Sequence, residues 1–498
     1  MMYKVIIGLE IHTELNTKSK MFCSCLNNPD EKQANTNVCP VCMAHPGTLP
    51  VINEEAVRKT IKTGMALNCR IPENSKFDRK NYFYPDLPKG YQISQYDMPL
   101  CEKGYLEILD KDKIKKIRIT RIHLEEDTGK LSHPKGADYS LVDFNRAGVP
   151  LMELVTEPDI TSAREARKFA EELQLYFRYL GVSDADMEKG QFRVEVNISL
   201  TKDVKQLGTK VEIKNLNSFR AVEKGIDYEI KRQTKVLNEG KKIIQETRGW
   251  HDVKEITFSQ REKEESHDYR YFPEPDLPML YNSKEFITQI KLGIPELPQQ
   301  RRMRFKDEYN LPEKEIENFI AYKKLGDYFE KTMSELRNWV KEVDIKNKIE
   351  TDEFLKLAKL CSNYIISDLQ GLMKENKIFV EDEGFKITPE NFAEFICLIY
   401  KKEISSKIAK IVLKEMFGAG ADPSQIIKDR GLVQITNVKE IERIAKQVIS
   451  KNPKVIEDFK KGKQNAFQYL IGQIMAQSRG KANPQIVQQI LIKLLKGI

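Results

Sequence analysis

Across residues 192–200 apolar and polar side chains alternate without a break: Phe192, Val194, Val196, Ile198 and Leu200 face one way, and Arg193, Glu195, Asn197 and Ser199 the other. A period of two marks a strand with one face in a core and the other open to water or ligands. The run Val211-Glu-Ile-Lys-Asn-Leu216 repeats it, placing Glu212 and Lys214 opposite Val211 and Ile213. Shorter alternations fill the chain from its start to about residue 160, punctuated by turn signals such as Tyr84-Pro85-Asp86, Pro88-Lys89-Gly90 and Asp127-Thr128-Gly129. Two helices are expected among them, over 54–67 and 162–180. The second carries Ala163, Ala166, Phe169, Ala170, Leu173, Tyr176 and Phe177 at helical spacing behind Thr161-Ser162 as its cap.

After Asp276 the pattern changes. Pro295-Glu-Leu-Pro298, followed by Arg301, Arg302 and Arg304, reads as a domain boundary, and nearly everything beyond it has the period of a helix. Near the end, Phe467, Leu470, Ile471 and Ile474 form an apolar stripe closed by Gly480, and Pro484 opens a helix carrying Ile486, Ile490, Leu491 and Leu494. No internal repeat is evident. The chain is therefore expected to be α+β, with strands first and helices last.

Its 498 residues suffice for two to four domains, and no apolar run approaches the ~18 residues needed to cross a bilayer. The opening run Val5-Ile6-Ile7 meets Glu10 at once, so neither a membrane protein nor a secreted precursor is expected. The formal charge of +8 is unevenly spread. Residues 401–498 hold 19 Lys and Arg against 8 Asp and Glu, a net of +11, while the first 400 residues are slightly acidic. Such a tail suits a phosphate backbone, or else a solvated helical surface.

Four of the eight cysteines fall within twenty positions, Cys23, Cys25, Cys39 and Cys42, spaced C-x-C-x13-C-x-x-C. Two close pairs bring four thiolates to one tetrahedral ion, and Pro40 favours the tight turn in the second pair; unligated thiols in a reducing compartment are the plainer alternative. Four thiolates leave no open position, so a structural Zn²⁺ is expected. Cys69, Cys101, Cys361 and Cys397 stand alone and read as packing residues.

Glu10 and His12 lie two apart in an alternating segment, with Glu14 next in line. In Ile117-Arg-Ile-Thr-Arg-Ile-His-Leu-Glu-Glu-Asp127, His123 and Glu125 again share a face, and Leu151-Met-Glu-Leu-Val-Thr-Glu157 supplies Glu153 and Glu157. Taken singly, each acid fits a solvated rim as well as a ligand. Taken together, three strands each offering a carboxylate among apolar neighbours suit Mg²⁺, which prefers oxygen ligands and phosphates. Aromatic and basic residues interleave in Phe77-Asp-Arg-Lys-Asn-Tyr-Phe-Tyr-Pro-Asp86 and Asp268-Tyr-Arg-Tyr-Phe-Pro-Glu-Pro-Asp276; both read as ordered loops, for binding or for covering a sheet edge. The chain has no G-x-x-x-x-G-K-[ST], no strand-led G-x-G-x-x-G, no H-E-x-x-H and no G-x-S-x-G. Any ATP chemistry must use another scaffold.

These last segments, with Val-Ile-Ile-Gly-Leu-Glu-Ile-His12, His123-Leu-Glu-Glu-Asp127, Ser140-Leu-Val-Asp-Phe-Asn-Arg146 and Lys214-Asn-Leu-Asn-Ser-Phe219, closely resemble the B subunits of tRNA-dependent amidotransferases over the whole chain. The resemblance implies a glutamine-synthetase-like cradle on an antiparallel sheet over 1–293, with the zinc loop inserted near 23–42. It implies an all-helical domain over 294–405 and a helical YqeY-like tail over 406–498 that binds tRNA. It further implies a cytoplasmic heterotrimer in which the partners are an amidase and a small third protein. The implied reaction is ATP-dependent phosphorylation of the side-chain carboxylate of Glu-tRNA(Gln), Asp-tRNA(Asn) or both, then amidation by ammonia that the amidase releases from glutamine. By the same resemblance Mg²⁺ falls to His12, Glu125 and Glu153 with Glu10 beside them, and the ATP pocket to Arg193, Glu195, Asn197, Glu212 and Lys214. Glu10, His12 and Glu125 are then catalytic, and Lys80, Lys89 and Glu125 are candidates for the ammonia channel's exit and gate.

Overall fold

The computed structural model describes residues 3–28, 30–110, 113–203, 206–262, 269–341, 349–432, 438–460, 463–478 and 482–496. Asp268 and Gly480 lie outside the described residues. The chain forms two compact units, Met1–Pro298 and Gln299–Ile498.

In the first unit the main elements are β1 (Lys4–Glu14), α1 (Glu54–Ala66), β2 (Asp78–Asn81), β3 (Tyr91–Ser94), β4 (Cys101–Asp110), β5 (Lys113–Glu126), β6 (Pro150–Thr156), α2 (Ala163–Leu180), β7 (Phe192–Thr201), β8 (Val211–Leu216), α3 (Phe219–Asn238), β9 (Glu246–His251), β10 (Ile256–Glu262), β11 (Phe272–Pro273) and α4 (Lys284–Leu292). Eight strands make one sheet in the order β10-β9-β8-β7-β1-β6-β5-β4. Every neighbouring pair is antiparallel except β8 and β9, which α3 connects as a crossover. The expected antiparallel sheet is thus present, with one parallel step.

The alternation decides which face is covered. On β7 the five apolar residues at 192, 194, 196, 198 and 200 are all buried, as are Ile7, Leu9 and Ile11 on β1. They pack into one core with Phe169, Ala170, Leu173 and Phe177 of α2 and Val222 and Ile226 of α3. At ~2 kcal/mol per buried side chain, the apolar face of β7 alone contributes on the order of 10 kcal/mol before entropy. Asn53, Ser162, Ser218 and Ser283 cap the helices that follow them, each accepting a hydrogen bond from a backbone N–H in the first turn. Gly181 ends α2 with φ +67°.

The two aromatic and basic segments are less irregular than the sequence suggests. Residues 78–81 pair with 91–94 on one side and with 272–273 on the other, making a three-stranded sheet, β11-β2-β3. Arg79 clamps it by a bidentate bond to the buried Glu274, at 2.7 and 2.8 Å. A period-two pattern is invisible in β2 because Asp78, Arg79, Lys80 and Asn81 are all polar.

The second unit is helical. Phe319 and Phe329 stack in its core with Phe305 tilted against both, and the buried Arg301 pairs with Asp327 and Glu330 at 2.8 and 2.5 Å. Helices Val438–Lys451, Gln464–Gln477 and Pro484–Lys496 share a separate apolar cluster in which Leu470, Ile474 and Leu491 are fully buried.

Candidate functional site

The polar face of the sheet floors a cleft of about 410 Å³, lined among others by Glu10, His12, Lys80, Glu125, Glu153 and Glu195. Strand register assembles it. Arg193 of β7, His12 of β1, Glu153 of β6 and His123 of β5 stand side by side in one row across four strands. One pleat along, the row reads Glu195, Glu10, Val155 and Arg121. Asn197 pairs with Glu212 in the row beyond.

His12 and His123 both aim Nε2 at Oε2 of Glu153, at 3.4 and 3.3 Å, and both approach Glu125, at 3.8 and 3.9 Å. Ser94 Oγ donates to Glu125 Oε2 at 3.1 Å. Burial opposes a charge on His12, but the carboxylates of Glu153, Glu125 and Glu195 outweigh it and push the imidazolium up to about 9. Burial would raise Glu153, yet the two imidazoles hold it well below the usual carboxylate range. Burial, Glu153 and Glu195 together push Glu10 up, against the pull of His12 and Lys214.

This set fits a hard divalent cation. Glu10, His12 and Glu153 each offer a ligand atom within 4.8 Å of the others, and so do His123, Glu125 and Glu153. Nδ1 of His123 is buried without a hydrogen-bond partner among the described residues. His123 is absent from the sequence-derived ligand set although its two-residue offset from Glu125 repeats that of Glu10 and His12. Glu157 stays apart, accepting a hydrogen bond from Thr120 at 2.8 Å.

The five residues expected around a nucleotide, Arg193, Glu195, Asn197, Glu212 and Lys214, all reach the same cleft. Lys214 bridges Glu195 and Glu212 at 2.9 and 3.2 Å, and Thr247 donates to Glu212 at 2.8 Å. Arg193 is held by Asp127 at 2.5 Å, with Arg146 3.6 Å from the same oxygen. Burial first, and Asp127 second, push Glu14 up to about 8.

Opposite the acids, Lys80 lies 5.9 and 5.3 Å from the rings of Tyr82 and Tyr269. Burial disfavours its charge, but Glu125, Tyr271 and Glu153 keep it protonated far above neutrality. Tyr96 stacks on Tyr271 with ring centroids 4.3 Å apart; nothing in the surroundings of Tyr96 in the sequence marks it. Lys89 is elsewhere. It binds Glu126 at 2.5 Å, and because Glu126 alternates with Glu125, this pair lines a second cavity of about 210 Å³ beside Cys23, Cys42 and Tyr91.

That cavity borders the four cysteines, whose sulfurs all lie within 4.8 Å of one another. Metal–sulfur bonds of about 2.3 Å in a tetrahedron put sulfurs about 3.8 Å apart, and Cys39 and Cys42 are separated by 3.9 Å. The Cys39 N–H donates to Cys42 Sγ at 3.2 Å, and Met43 N–H to Cys39 O at 3.0 Å, the turn expected at Pro40. The thiols share their protons unequally: the hydrogen bond from Cys23 draws Cys42 down to about 4, and the same bond holds Cys23 up. The donor set fits a soft or borderline tetrahedral ion.

A family model described as the GatB/GatE catalytic domain matches residues 5–288, and one described as the GatB domain matches 327–495. The chain is 48% identical over 492 residues, 99% of each chain, to the B subunit of the aspartyl/glutamyl-tRNA(Asn/Gln) amidotransferase of Thermoanaerobacter pseudethanolicus. It is 47% identical over 500 residues to that of Caldicellulosiruptor saccharolyticus and over 502 residues to that of Thermotoga neapolitana, in both cases across 100% of the two chains.

Proposed function

The chain belongs to the family of aspartyl/glutamyl-tRNA amidotransferase B subunits, glutamine-hydrolysing carbon–nitrogen ligases, and from that premise we propose that the cleft on the sheet is its phosphorylation and amidation site. The observation that carries this reading is the cross-strand row of Arg193, His12, Glu153 and His123, which joins an acid and imidazole cluster to a cation-lined pocket on one surface.

A carboxylate has no leaving group that ammonia can displace, so the side chain of Glu-tRNA(Gln), Asp-tRNA(Asn) or both must first be phosphorylated by ATP. His12, Glu125, Glu153 and Glu10, with His123, would hold Mg²⁺. Bound there, it would neutralise charge on the transferring phosphoryl group. Arg193, Glu195, Asn197, Glu212 and Lys214 would bind the nucleotide, with Arg193 oriented by Asp127. Lys80 remains an ammonium and serves as a fixed positive charge. Ammonia from the partner amidase then displaces phosphate, and Glu125 takes the proton from arriving ammonium. Lys80 and Glu125 face the cleft, and Lys89 with Glu126 lines the adjoining cavity; we place the channel's exit and gate among these residues.

Structural Zn²⁺ on Cys23, Cys25, Cys39 and Cys42 completes the first unit, read as a glutamine-synthetase-like cradle over 1–293. The helical unit is read as a domain over 294–405 and a YqeY-like tail over 406–498 whose net charge of +10 grips tRNA. The protein would act in the cytoplasm, in a heterotrimer with the amidase and the small third protein.

The test is amidation of Glu-tRNA(Gln) and Asp-tRNA(Asn), separately, by this chain reconstituted with those two partners. Glu125→Ala is expected to abolish product while leaving tRNA bound. Full turnover in that variant overturns the proposed site, and no turnover by the parent with tRNA retained overturns the catalytic reading in favour of a tRNA-binding adapter.

A further inference from the structure

Lys20 is the largest fully buried side chain of the first unit's metal loop, with none of its surface exposed. A buried ammonium is costly to maintain unless an anion and good hydrogen-bond acceptors surround it. Its Nζ has two partners among the described residues, the Phe144 carbonyl at 3.2 Å and Cys42 Sγ at 3.9 Å, and neither is a carboxylate. Glu126 shares the space beside Gly148 but is already taken by Lys89 at 2.5 Å and by the Ile93 N–H at 3.0 Å. What Lys20 lacks in this arrangement is a counter-charge.

The four cysteines can supply it. A divalent ion bound by four thiolates carries a net charge of −2, placed in a partly buried loop and next to this ammonium. We infer that Lys20 is a positioning residue for the metal centre: it compensates the charge of the thiolate cluster and donates a hydrogen bond to Cys42 Sγ. The inference concerns the metal loop alone and does not depend on the catalytic reading of the cleft.

The surrounding backbone is arranged to hold Lys20 at that sulfur. Lys20 N–H donates to Cys25 O at 2.9 Å, and Met21 N–H to Gly148 O at 2.7 Å. Gly148 has φ +86°, a conformation that strains any side chain, and it lies where a Cβ would touch Lys20 Cδ at 3.5 Å and Cys42 Cβ at 3.6 Å. Asn145 accepts from Thr36 N–H and Asn37 N–H, both at 2.8 Å, tying the far arm of the cysteine loop to the segment that carries Phe144. The same segment reaches the cleft: Gly148 N–H donates to Asp127 O at 2.9 Å, and the Asp127 side chain holds Arg193.

The experiment is a competition for Zn²⁺ between a chromophoric chelator and the full chain, parent against Lys20→Met. The methionine keeps an unbranched stem and removes the charge and the donor. Removing an outer partner of a metal ligand is expected to weaken metal binding by about 10–100-fold, and Lys20→Arg should recover part of it. In the Co²⁺-loaded protein the thiolate-to-metal charge-transfer band should shift in Lys20→Met and return toward the parent in Lys20→Arg. An unchanged competition curve and band overturn the inference, as does a fall in melting temperature that is equal with and without metal. Should Lys20→Met not fold, Lys20→Gln, which keeps a hydrogen-bond donor without the charge, decides: its Zn²⁺ affinity should fall below that of Lys20→Arg, and an affinity equal to the parent's overturns the inference.

Discussion

Four thiols within twenty positions close on one another in a loop, while two imidazoles and three carboxylates gather from three separate strands at the floor of an open cleft. The thiol cluster has all four of its donors and a buried ammonium against it, so an ion there leaves no place for a substrate. The second cluster mixes acids whose charges conflict, Glu10 opposite Glu195 in register, with cations that relieve them only in part. A closed, locally assembled site holds a fold together; an open, electrostatically unsatisfied one is ready for a charged ligand. The contrast teaches that ligand type alone does not separate scaffold from chemistry, and that residual conflict does.

The sharpest way to break this contrast is Glu153→Gln, because Glu153 is the one acid that both histidines share most closely. Amidation by the reconstituted complex should fall by about 10²–10³-fold, with the zinc content of the chain unchanged by elemental analysis. A parallel loss of zinc would show that the two clusters are one structural unit. Stripping the metal proposed at the four thiols should do the opposite. At free metal about 100 times its dissociation constant, binding contributes about 2.7 kcal/mol, so a chelator should lower the melting temperature by several degrees and weaken turnover only as far as the Asp127 and Arg193 pair loosens.

Glu14→Gln makes a smaller and pH-dependent change. In the native state the Glu14 carboxyl titrates near 8, against a reference of 4.5. Between those values the native protein holds a proton that the unfolded chain has released, so this group's stabilising contribution is complete below about pH 4.5 and is lost as pH rises toward 8. The variant's unfolding free energy in urea should therefore depend less steeply on pH across that window than the parent's, by no more than about 1.4 kcal/mol per pH unit. Identical slopes would remove Glu14 from the electrostatics of the cleft.

The strand of residues 192–200 and the helix of residues 163–180 were legible because period and cap are local properties, and both elements lie where the pattern puts them. The four cysteines were legible for the same reason: a short loop brings close pairs together whatever the rest of the chain does. The small sheet β11-β2-β3 escaped, since β2 is polar at every position and its partners lie at 91–94 and 272–273. Lys80 and Lys89 belong to one short polar stretch rich in tyrosine and proline, yet one faces the acids and the other Glu126.

Along this chain, local pattern is enough to establish which face of each strand is apolar, where α2 begins, and that four thiols meet, because each depends on neighbours a few residues away. It took the packed fold to put Arg193, His12, Glu153 and His123 in one row, to send Glu125 and Glu126 to different cavities, and to bury Lys20 against Cys42. Those outcomes depend on the register between strands distant in the chain and on which charges are taken out of water together, and no local period encodes either.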